Sequence, residues 1–419
     1  MEGNEGVTGQ TGRVGDAAGR SAASGSGIPA DRVPAIRASS EEGRRFLALD
    51  SLRGVAALAV VFFHVEGALD RAPQPWMPGF LGTLFHAGHF GVDVFFVLSG
   101  FVIAFSVRNG SWTPGFLGRF ALKRSLRLDP PYWTAIALET AVIALGLVLF
   151  PQLGTPLPSV PQLVAHLFYL QDILGYGDIM PNFWTLCYEF QFYLVLVGTL
   201  VLGRALGRRL GARAGSWTVI AIFGALFIAS VAVHNGWISG IHRGLALDRW
   251  FEFFTGALAW WVVAGVVRMP LLAAAWLTSI GVATRPDMPI ESTLVVAVSV
   301  ICMLSATRPK FDRMFAWGPL QFLGAISYSL YLYHPTVGWR VVSLAQRYLG
   351  ATLPPAWGVL TWLAAVGAAI ATSVLMWRLV ERPSQSLARR VKLPRRQRAE
   401  PVDASFSALG LPSQQSALP

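Results

Sequence analysis

Long apolar segments recur along most of the chain, and they limit its fold more than any other feature. They measure about 15 to 24 residues, and an α-helix needs roughly 20 apolar residues to cross a bilayer. Of the 419 residues, 53% are hydrophobic and only 14% are charged, and the mean hydropathy is +0.50. A soluble chain carries nearer a quarter of charged residues. The sequence therefore predicts an all-α, polytopic membrane helix bundle.

Ten segments are expected to cross the membrane, and the basic residues predict their orientation. The predicted spans are 47–70, 85–107, 131–150, 182–203, 215–233, 249–267, 270–284, 292–307, 317–338 and 356–378. With the N-terminus in the cytoplasm, 28 of the 34 lysine and arginine residues lie on the cytoplasmic side and six lie outside. This asymmetry follows the positive-inside rule. We therefore expect both termini to be cytoplasmic, in a multi-pass protein of a bacterial inner membrane.

The two ends differ in composition from the membrane part. Residues 1–45 are rich in Gly, Ser, Ala and Arg and are expected to form a disordered cytoplasmic tail. Residues 46–383 are the expected transmembrane domain, and residues 384–419 are expected to form a basic and then low-complexity cytoplasmic tail. The net charge of +11 does not indicate nucleic-acid binding, because the basic residues flank apolar segments. Cys187 and Cys302 lie in predicted spans and suggest no disulfide framework.

Three ionisable residues on three predicted helices fall at a similar depth. At 1.5 Å per residue, His64 lies about 16 Å above Arg53 at the inner mouth, on nearly the same helix face. Asp93 and Glu189 lie about 21–22 Å above the inner ends of their helices. Such groups are costly in a bilayer and usually mark chemistry or transport. We expect a polar cavity where Asp93 or Glu189 orients His64; the alternative for each is a structural contact between helices.

A basic cluster precedes a double proline on the predicted cytoplasmic side. Arg124 and Arg127 are three residues apart and therefore share a helix face. Two guanidinium groups on one face suit a phosphate or a pyrophosphate, and the alternative is a positive-inside anchor. No metal site is expected, because the pair His86 and His89 lacks a third ligand nearby. His334, which precedes a proline, is interpreted as a cap or a structural hydrogen-bonding residue.

Five blocks of this sequence, in order, resemble the membrane acyltransferase-3 family. The blocks are Phe46–His64, Gly91–Phe101, Lys123–Arg127, Phe183–Tyr193 and Ile326–Pro335. By this resemblance, the family's Arg-x10-His pair is Arg53 and His64, and its Arg-x-x-Arg pair is Arg124 and Arg127. The chain differs from the family at Asp129, where relatives generally carry an apolar or aromatic residue. It is expected to be a stand-alone enzyme without the C-terminal hydrolase-like domain of longer relatives.

The resemblance implies transfer of an acyl group, commonly acetyl, from acyl-CoA to a hydroxyl of a carbohydrate, glycolipid or secondary metabolite. Acyl-CoA is then a co-substrate, and no cofactor is expected. Arg53, Arg124 and Arg127 would bind the donor, and His64, Asp93 and Glu189 would be catalytic, either by general-base help or through an acyl-histidine. The alternative function is a transporter or flippase of a glycoconjugate or lipid that uses the buried charges as a proton relay.

Overall fold

The part of the chain that the structure describes consists of α-helices and the segments that connect them. A computed structural model describes residues 46–69, 76–151, 156–242, 244–282 and 290–395. The helices in these residues are α1 (Leu47–Leu69), α2 (Gly79–His86), α3 (Gly91–Val107), α4 (Pro114–Leu149), α5 (Val160–Leu167), α6 (Trp184–Leu210), α7 (Ala212–His234), α8 (Trp250–Val263), α9 (Met269–Val282), α10 (Ile290–Ala306), α11 (Pro309–Met314), α12 (Gly318–Leu349), α13 (Pro355–Met376) and α14 (Arg382–Arg390). This part of the chain has no β-strand, only an isolated bridge between Gly110 and Arg395. The all-α prediction is confirmed.

Each of the ten predicted spans overlaps a helix, and within the described residues six helical stretches are long and apolar enough to cross a membrane. These six are Leu47–Leu69, Gly79–Val107, Pro114–Leu149, Trp184–Leu210, Ala212–His234 and Pro355–Arg390. Helix α8 has only 14 residues, about 21 Å, which is shorter than the hydrocarbon core. Residues 250–260 of α8 are all buried, so protein and not lipid surrounds this helix. The count of ten spans and the orientation stay predictions.

Two apolar clusters form the core of the helical bundle. The larger one is rich in aromatic residues and includes Phe101 on α3, Phe192 on α6 and Phe253 on α8. The rings of Phe192 and Phe253 stack with their centroids 4.6 Å apart. The smaller cluster joins α1, α12 and α13, which pack against one another. Helices α1 and α12 each contribute residues to both clusters.

Glycines let two helix pairs approach until their backbones touch. On α1, a Cβ at Gly54 would lie 2.6 Å from the backbone nitrogen of Gly324 on α12. On α3 and α8, a Cβ at Gly100 would overlap the carbonyl oxygen of Phe253, and a Cβ at Gly256 would overlap that of Val97. Real Cβ atoms do not approach so closely, so these positions exclude a side chain. These contacts therefore fix the position of α12 along α1, and the position of α8 along α3.

Helix α4 begins well before the predicted span at residue 131. It starts after Thr113, whose hydroxyl oxygen accepts from the backbone N–H of Phe116 at 3.2 Å, and it continues through Pro130 and Pro131. Prolines normally interrupt a helix because they cannot donate a backbone hydrogen bond. Here side chains bind carbonyl groups around the double proline. Thr134 donates to the Pro130 oxygen at 2.7 Å, and Tyr333 of α12 donates to the Pro131 oxygen at 2.8 Å.

The last helical stretch runs past the predicted domain boundary. After α13 the chain forms a π-helical turn from Trp377 to Glu381 and then enters α14. The boundary at residue 383 thus lies inside a continuous helix, and the backbone N–H of Ser111 donates to the Pro394 oxygen at 3.2 Å. Composition alone did not reveal this, because basic and polar residues suit an exposed helix as well as a tail. The predicted tails 1–45 and 396–419 lie outside the described residues.

The close approach of α3 and α8 predicts a stability defect in Gly256→Ala. The added methyl group would meet the Val97 carbonyl, and overpacking of this kind typically costs about 1–3 kcal/mol. We expect a lower thermal unfolding temperature for the purified protein in detergent. Gly198→Ala on α6 is the control, because a Cβ there meets nothing within 4 Å. An unfolding temperature for Gly256→Ala equal to that of the control would refute the backbone contact.

Candidate active site

A cavity of about 780 Å³, counted to its open mouth, brings together four of the six predicted site residues. Arg53 of α1, Arg124 and Arg127 of α4 and Glu189 of α6 all line it. The rest of the lining is mainly aromatic and aliphatic: Val92, Phe95, Phe96, Leu98, Ser99, Val102, Leu128, Thr185, Leu186, Tyr193, Tyr328 and Tyr331. His64 and Asp93 are not among the described residues of this lining.

Arg124 and Arg127 reach the cavity from one face of α4. Arg124 and Arg127 lie one turn apart, just before the double proline, and Tyr328 of α12 donates to the Leu128 carbonyl at 2.9 Å. The guanidinium of Arg124 lies 5.0 Å from the ring centre of Tyr193, within range of a cation–π contact. An aromatic face fixes the plane of a guanidinium while leaving its N–H donors available. The face predicted from the three-residue spacing is therefore present.

Glu189 is the acidic residue of the cavity. Its Oε1 atom accepts from the hydroxyl of Ser99 at 2.6 Å and from the hydroxyl of Tyr193. Its charge also acts on Arg124 and Arg127. Glu189 thus joins α3, α4 and α6 around the cavity. The structure thus places it beside the arginines predicted to bind the donor.

Glu381 is a second acidic residue of this region, and the sequence analysis did not single it out. It lies on the π-helical turn and is 3% exposed. Its Oε2 atom accepts from the backbone N–H of Ser329 at 3.1 Å and from the Ser329 hydroxyl at 2.6 Å. Its charge acts on Arg127, and that of Arg53 acts on Glu381. The only sequence signal was an acidic residue within a basic segment, and π-helical turns are frequent at functional sites.

The ring of His64 is held by the backbone of α1 and by His334 of α12. Its Nδ1 atom lies 3.1 Å from the Val60 carbonyl oxygen and 3.0 Å from Nε2 of His334. Trp339 donates through Nε1 to the backbone oxygen of His64 at 3.0 Å. The predicted orienting group was a carboxylate, Asp93 or Glu189, but the ring partner in the structure is another imidazole. The sequence could not show this, because 270 residues separate the two histidines.

Tyr331 connects the cavity with the histidine pair. It lines the cavity, and its ring centre lies 6.2 Å from that of His334 and 5.4 Å from that of Phe95. Its hydroxyl lies 2.9 Å from the hydroxyl of Thr185. One aromatic side chain therefore separates the arginine-lined space from the imidazoles.

Asp93 lies apart from both groups, in an ion-pair network with α8. Nη1 of Arg249 is 3.1 Å from Oδ1 of Asp93 and 2.8 Å from Oε1 of Glu252. Asp93 is 4% exposed and Glu252 is fully buried. These contacts connect α3 with the start of α8, where the glycine contacts also lie. The partners of Asp93 therefore favour the structural alternative, a contact between helices. The helices that they join are α3 and α8.

The residue that departs from the family pattern also has structural partners. Asp129 is 7% exposed, and its Oδ1 atom accepts from the hydroxyl of Tyr169 at 2.8 Å. Its other oxygen accepts from the hydroxyl of Ser125 one turn earlier. Asp129 thereby ties α4 to the segment after α5. It is not among the described residues that line the cavity.

The connection between α5 and α6 carries two neighbouring acidic residues. Burial, together with the charge of Asp172, raises the pKa of Asp178 to about 7. Burial also raises the pKa of Asp172. Gln171 donates through Nε2 to Oδ1 of Asp178 at 3.3 Å. This connection can therefore offer one carboxyl group, that of Asp178, which gains or loses a proton near neutral pH. Among the described residues there is no cluster of three metal-ligating side chains.

Comparison with known proteins identifies the family of the chain. A family model for an acyltransferase domain, that of the acyltransferase-3 family, matches residues 46–378. Exopolysaccharide production protein ExoZ of Rhizobium meliloti is 30% identical over 343 residues, which cover 78% of this chain and 96% of that protein. Acyltransferase MdmB of Streptomyces mycarofaciens is 29% identical over 380 residues, covering 82% and 92%.

A longer relative shares the same region. Peptidoglycan O-acetyltransferase OatA of Listeria monocytogenes is 23% identical over 372 residues, which cover 80% of this chain but 55% of that protein. No solved structure matches the chain significantly. The family match covers most of the chain and includes Arg53, His64, Arg124 and Arg127. The chain therefore belongs to the acyltransferase-3 family, and it is a membrane enzyme that transfers acyl groups.

Proposed function

We propose that the protein transfers an acyl group, commonly acetyl, from acyl-CoA to a hydroxyl of a carbohydrate, a glycolipid or a secondary metabolite. The observation that carries this proposal is the convergence of Arg53, Arg124 and Arg127 on one cavity, a single side chain away from the His64–His334 pair. An acyl-CoA has a polyanionic head and a long arm that ends in a thioester. The cavity offers cations for the head and an apolar, aromatic wall for the arm.

The arginines bind the phosphates of the donor from the cytoplasmic side. Guanidinium groups form paired, charge-assisted hydrogen bonds with phosphate oxygens. Glu189 and Glu381 hold the arginines in place while leaving the cluster positive, since three guanidinium groups face two carboxylates. Movement of the Tyr331 ring then admits the thioester toward the imidazoles. Glu189 therefore acts mainly on the donor side, and Asp93 supports the outer end of α3.

His64 is the general base for the acceptor. It takes the proton of the acceptor hydroxyl, and the oxygen attacks the thioester carbonyl carbon. A C–O bond forms, the C–S bond breaks, and the CoA thiolate receives the proton from His64. The products are the ester and free CoA, so no other reactant is needed. General-base help of this kind typically contributes about 10²–10⁴ in rate.

The acceptor is proposed to be a carbohydrate of the cell envelope or of a secreted polysaccharide. Two relatives carry names that refer to exopolysaccharide production and to peptidoglycan O-acetylation. The connection between α5 and α6 offers Gln171, Asp172 and Asp178, which suit hydroxyl groups. Mass spectrometry of polysaccharides, glycolipids and secreted metabolites from a deletion strain tests this. Loss of an acyl mass from a carbohydrate is expected, and loss only from a secondary metabolite would overturn the carbohydrate assignment.

The transporter alternative is less well supported. The family membership favours transfer of acyl groups, and Asp93 is paired with Arg249. Glu139 is likewise paired with Arg340. Each of these carboxylates joins two helices through an arginine, which is a structural role that needs no proton transfer. The buried charges on the outer half of the bundle thus have a structural explanation.

The first prediction concerns orientation. We expect the C-terminus in the cytoplasm and the connection between α5 and α6 outside, because of the basic-residue asymmetry. Green fluorescent protein fused after Pro419 should fluoresce. A cysteine at the exposed Gly177, in a chain with Cys187 and Cys302 replaced by alanine, should react in intact cells with a membrane-impermeant maleimide. Labelling only after permeabilisation would invert the donor and acceptor sides.

The second prediction concerns donor binding. Arg124→Ala and Arg127→Ala should each weaken binding of acetyl-CoA, because each removes a charge-assisted phosphate contact. Such a loss is about 1.5–3 kcal/mol, or roughly 10- to 150-fold in Kd. The measurement is titration calorimetry with the purified protein. Arg119→Ala, an exposed arginine of the same helix, is the control for charge alone. An equal loss in the control would assign the effect to general electrostatic attraction.

The third prediction concerns His64. His64→Ala and His64→Gln should both lower O-acyl transfer by at least about 10²-fold and leave acetyl-CoA binding unchanged. Glutamine keeps a hydrogen-bonding side chain but cannot act as a base near neutral pH. The readout is ester-linked acetate released by mild alkali from polysaccharide of the complemented deletion strain. If His64→Gln retained most of the transfer while His64→Ala did not, His64 would be structural.

A further inference from the structure

The hydrogen bonds of His334 determine which of its nitrogens carries the proton. His334 is 1% exposed, and its Nδ1 atom lies 2.9 Å from the Leu330 oxygen and 3.0 Å from the Tyr331 oxygen. Backbone carbonyl groups only accept hydrogen bonds, so Nδ1 of His334 must be the donor. In the neutral ring the other nitrogen, Nε2, then carries no proton and is an acceptor.

The Nδ1 atom of His64 likewise faces only hydrogen-bond acceptors. It lies 3.0 Å from Nε2 of His334 and 3.1 Å from the Val60 oxygen. Both of these neighbours are acceptors, so Nδ1 of His64 must carry the proton and donate. The Nε2 atom of His64 is therefore the unprotonated nitrogen when the ring is neutral. A general base must present such a bare nitrogen to its substrate.

We propose that His334 is a positioning residue that holds His64 in the catalytically competent tautomer. Free neutral histidine prefers its proton on Nε2, which would leave the wrong nitrogen bare. The acceptor Nε2 of His334, together with the Val60 carbonyl, reverses this preference. This inference rests on the proposed role of His64 as the base. It assigns the orienting function to an imidazole and not to Asp93 or Glu189, whose contacts lie elsewhere.

The contact between His64 and His334 also stabilises the positively charged form of His64 during the reaction. When Nε2 of His64 takes the hydroxyl proton, the ring becomes an imidazolium whose Nδ1–H still points at Nε2 of His334. A hydrogen bond from a charged donor is roughly twice as strong as a neutral one. His334 keeps its own Nδ1 proton throughout, because that proton is bound to the α12 backbone. No proton passes to His334, and the proton balance of the transfer is unchanged.

Two amide substitutions separate positioning from capping. The side chain of His334→Gln is long enough for its oxygen to accept from Nδ1 of His64. The shorter His334→Asn can donate to the Leu330 carbonyl but cannot reach His64. We expect His334→Gln to retain at least about 10-fold more transfer than His334→Asn, with equal acetyl-CoA affinity in both. If His334 were only a cap, His334→Asn would be the better variant, and that result would overturn the proposal.

Nitrogen NMR tests the tautomer without reference to activity. The full chain, labelled with ¹⁵N-histidine and reconstituted in lipid, gives signals that distinguish a protonated from a bare ring nitrogen, and His64→Gln identifies the His64 signals. We expect Nδ1 protonated and Nε2 bare in the unsubstituted protein. A redistribution toward the Nε2-protonated form is expected in His334→Asn. A bare Nδ1 in the unsubstituted protein would overturn the proposal even if neither His334 variant folds.

The two measurements also separate this inference from the proposed function. If His64→Gln abolishes transfer but the His64 tautomer is the same in His334→Asn, the base assignment stands and the positioning role is wrong. If the tautomer changes as expected but His64→Gln transfers normally, the hydrogen-bond chain is real and the proposed function of His64 is wrong.

Discussion

The backbone contact between α1 and α12 is the constraint on which the site depends. Gly54 and Gly324 allow the two helices to touch, and this fixes their relative depth. Arg53 at one end of α1 then reaches the cavity, and His64, three turns away, meets His334. Helix α12 also donates two tyrosine hydroxyls to the double-proline region of α4. A single helix therefore contacts both His64 and the segment of α4 that carries the arginines.

Charge compensation differs between the two halves of the bundle. Around the cavity, three arginines meet Glu189 and Glu381, so the described residues there leave a positive surplus. On the side predicted to face outward, Arg249 contacts two carboxylates and Arg340 contacts one. Breaking a buried ion pair is costly because it leaves one charge without compensation. The positive surplus at the cavity would be compensated by an anion, such as the polyanionic head of the proposed donor.

The sequence predicted the helices and the cavity cations well, because both follow from local patterns. Apolar length predicted the helices, and the three-residue spacing of Arg124 and Arg127 predicted a shared face. The partner of His64 could not be predicted, since it lies 270 residues away and its identity depends on how α12 packs. The intramembrane depth of Asp93 does not reveal Arg249, which the fold brings alongside it, and a catalytic role for Asp93 stays a prediction. Whether His64 and Glu189 act catalytically stays a prediction.

The π-helical turn from Trp377 to Glu381 has a mechanical consequence. A π turn contains one residue more than an α turn, so conversion to α-helix would rotate Glu381 by roughly 100° about the helix axis. The carboxylate would then leave Ser329, and the neighbouring arginines would lose one counter-charge. Helix α14 continues this helix and packs against α4, so a displacement of α14 would act directly on the turn. A change in this turn would thereby alter the electrostatic potential around the cavity arginines.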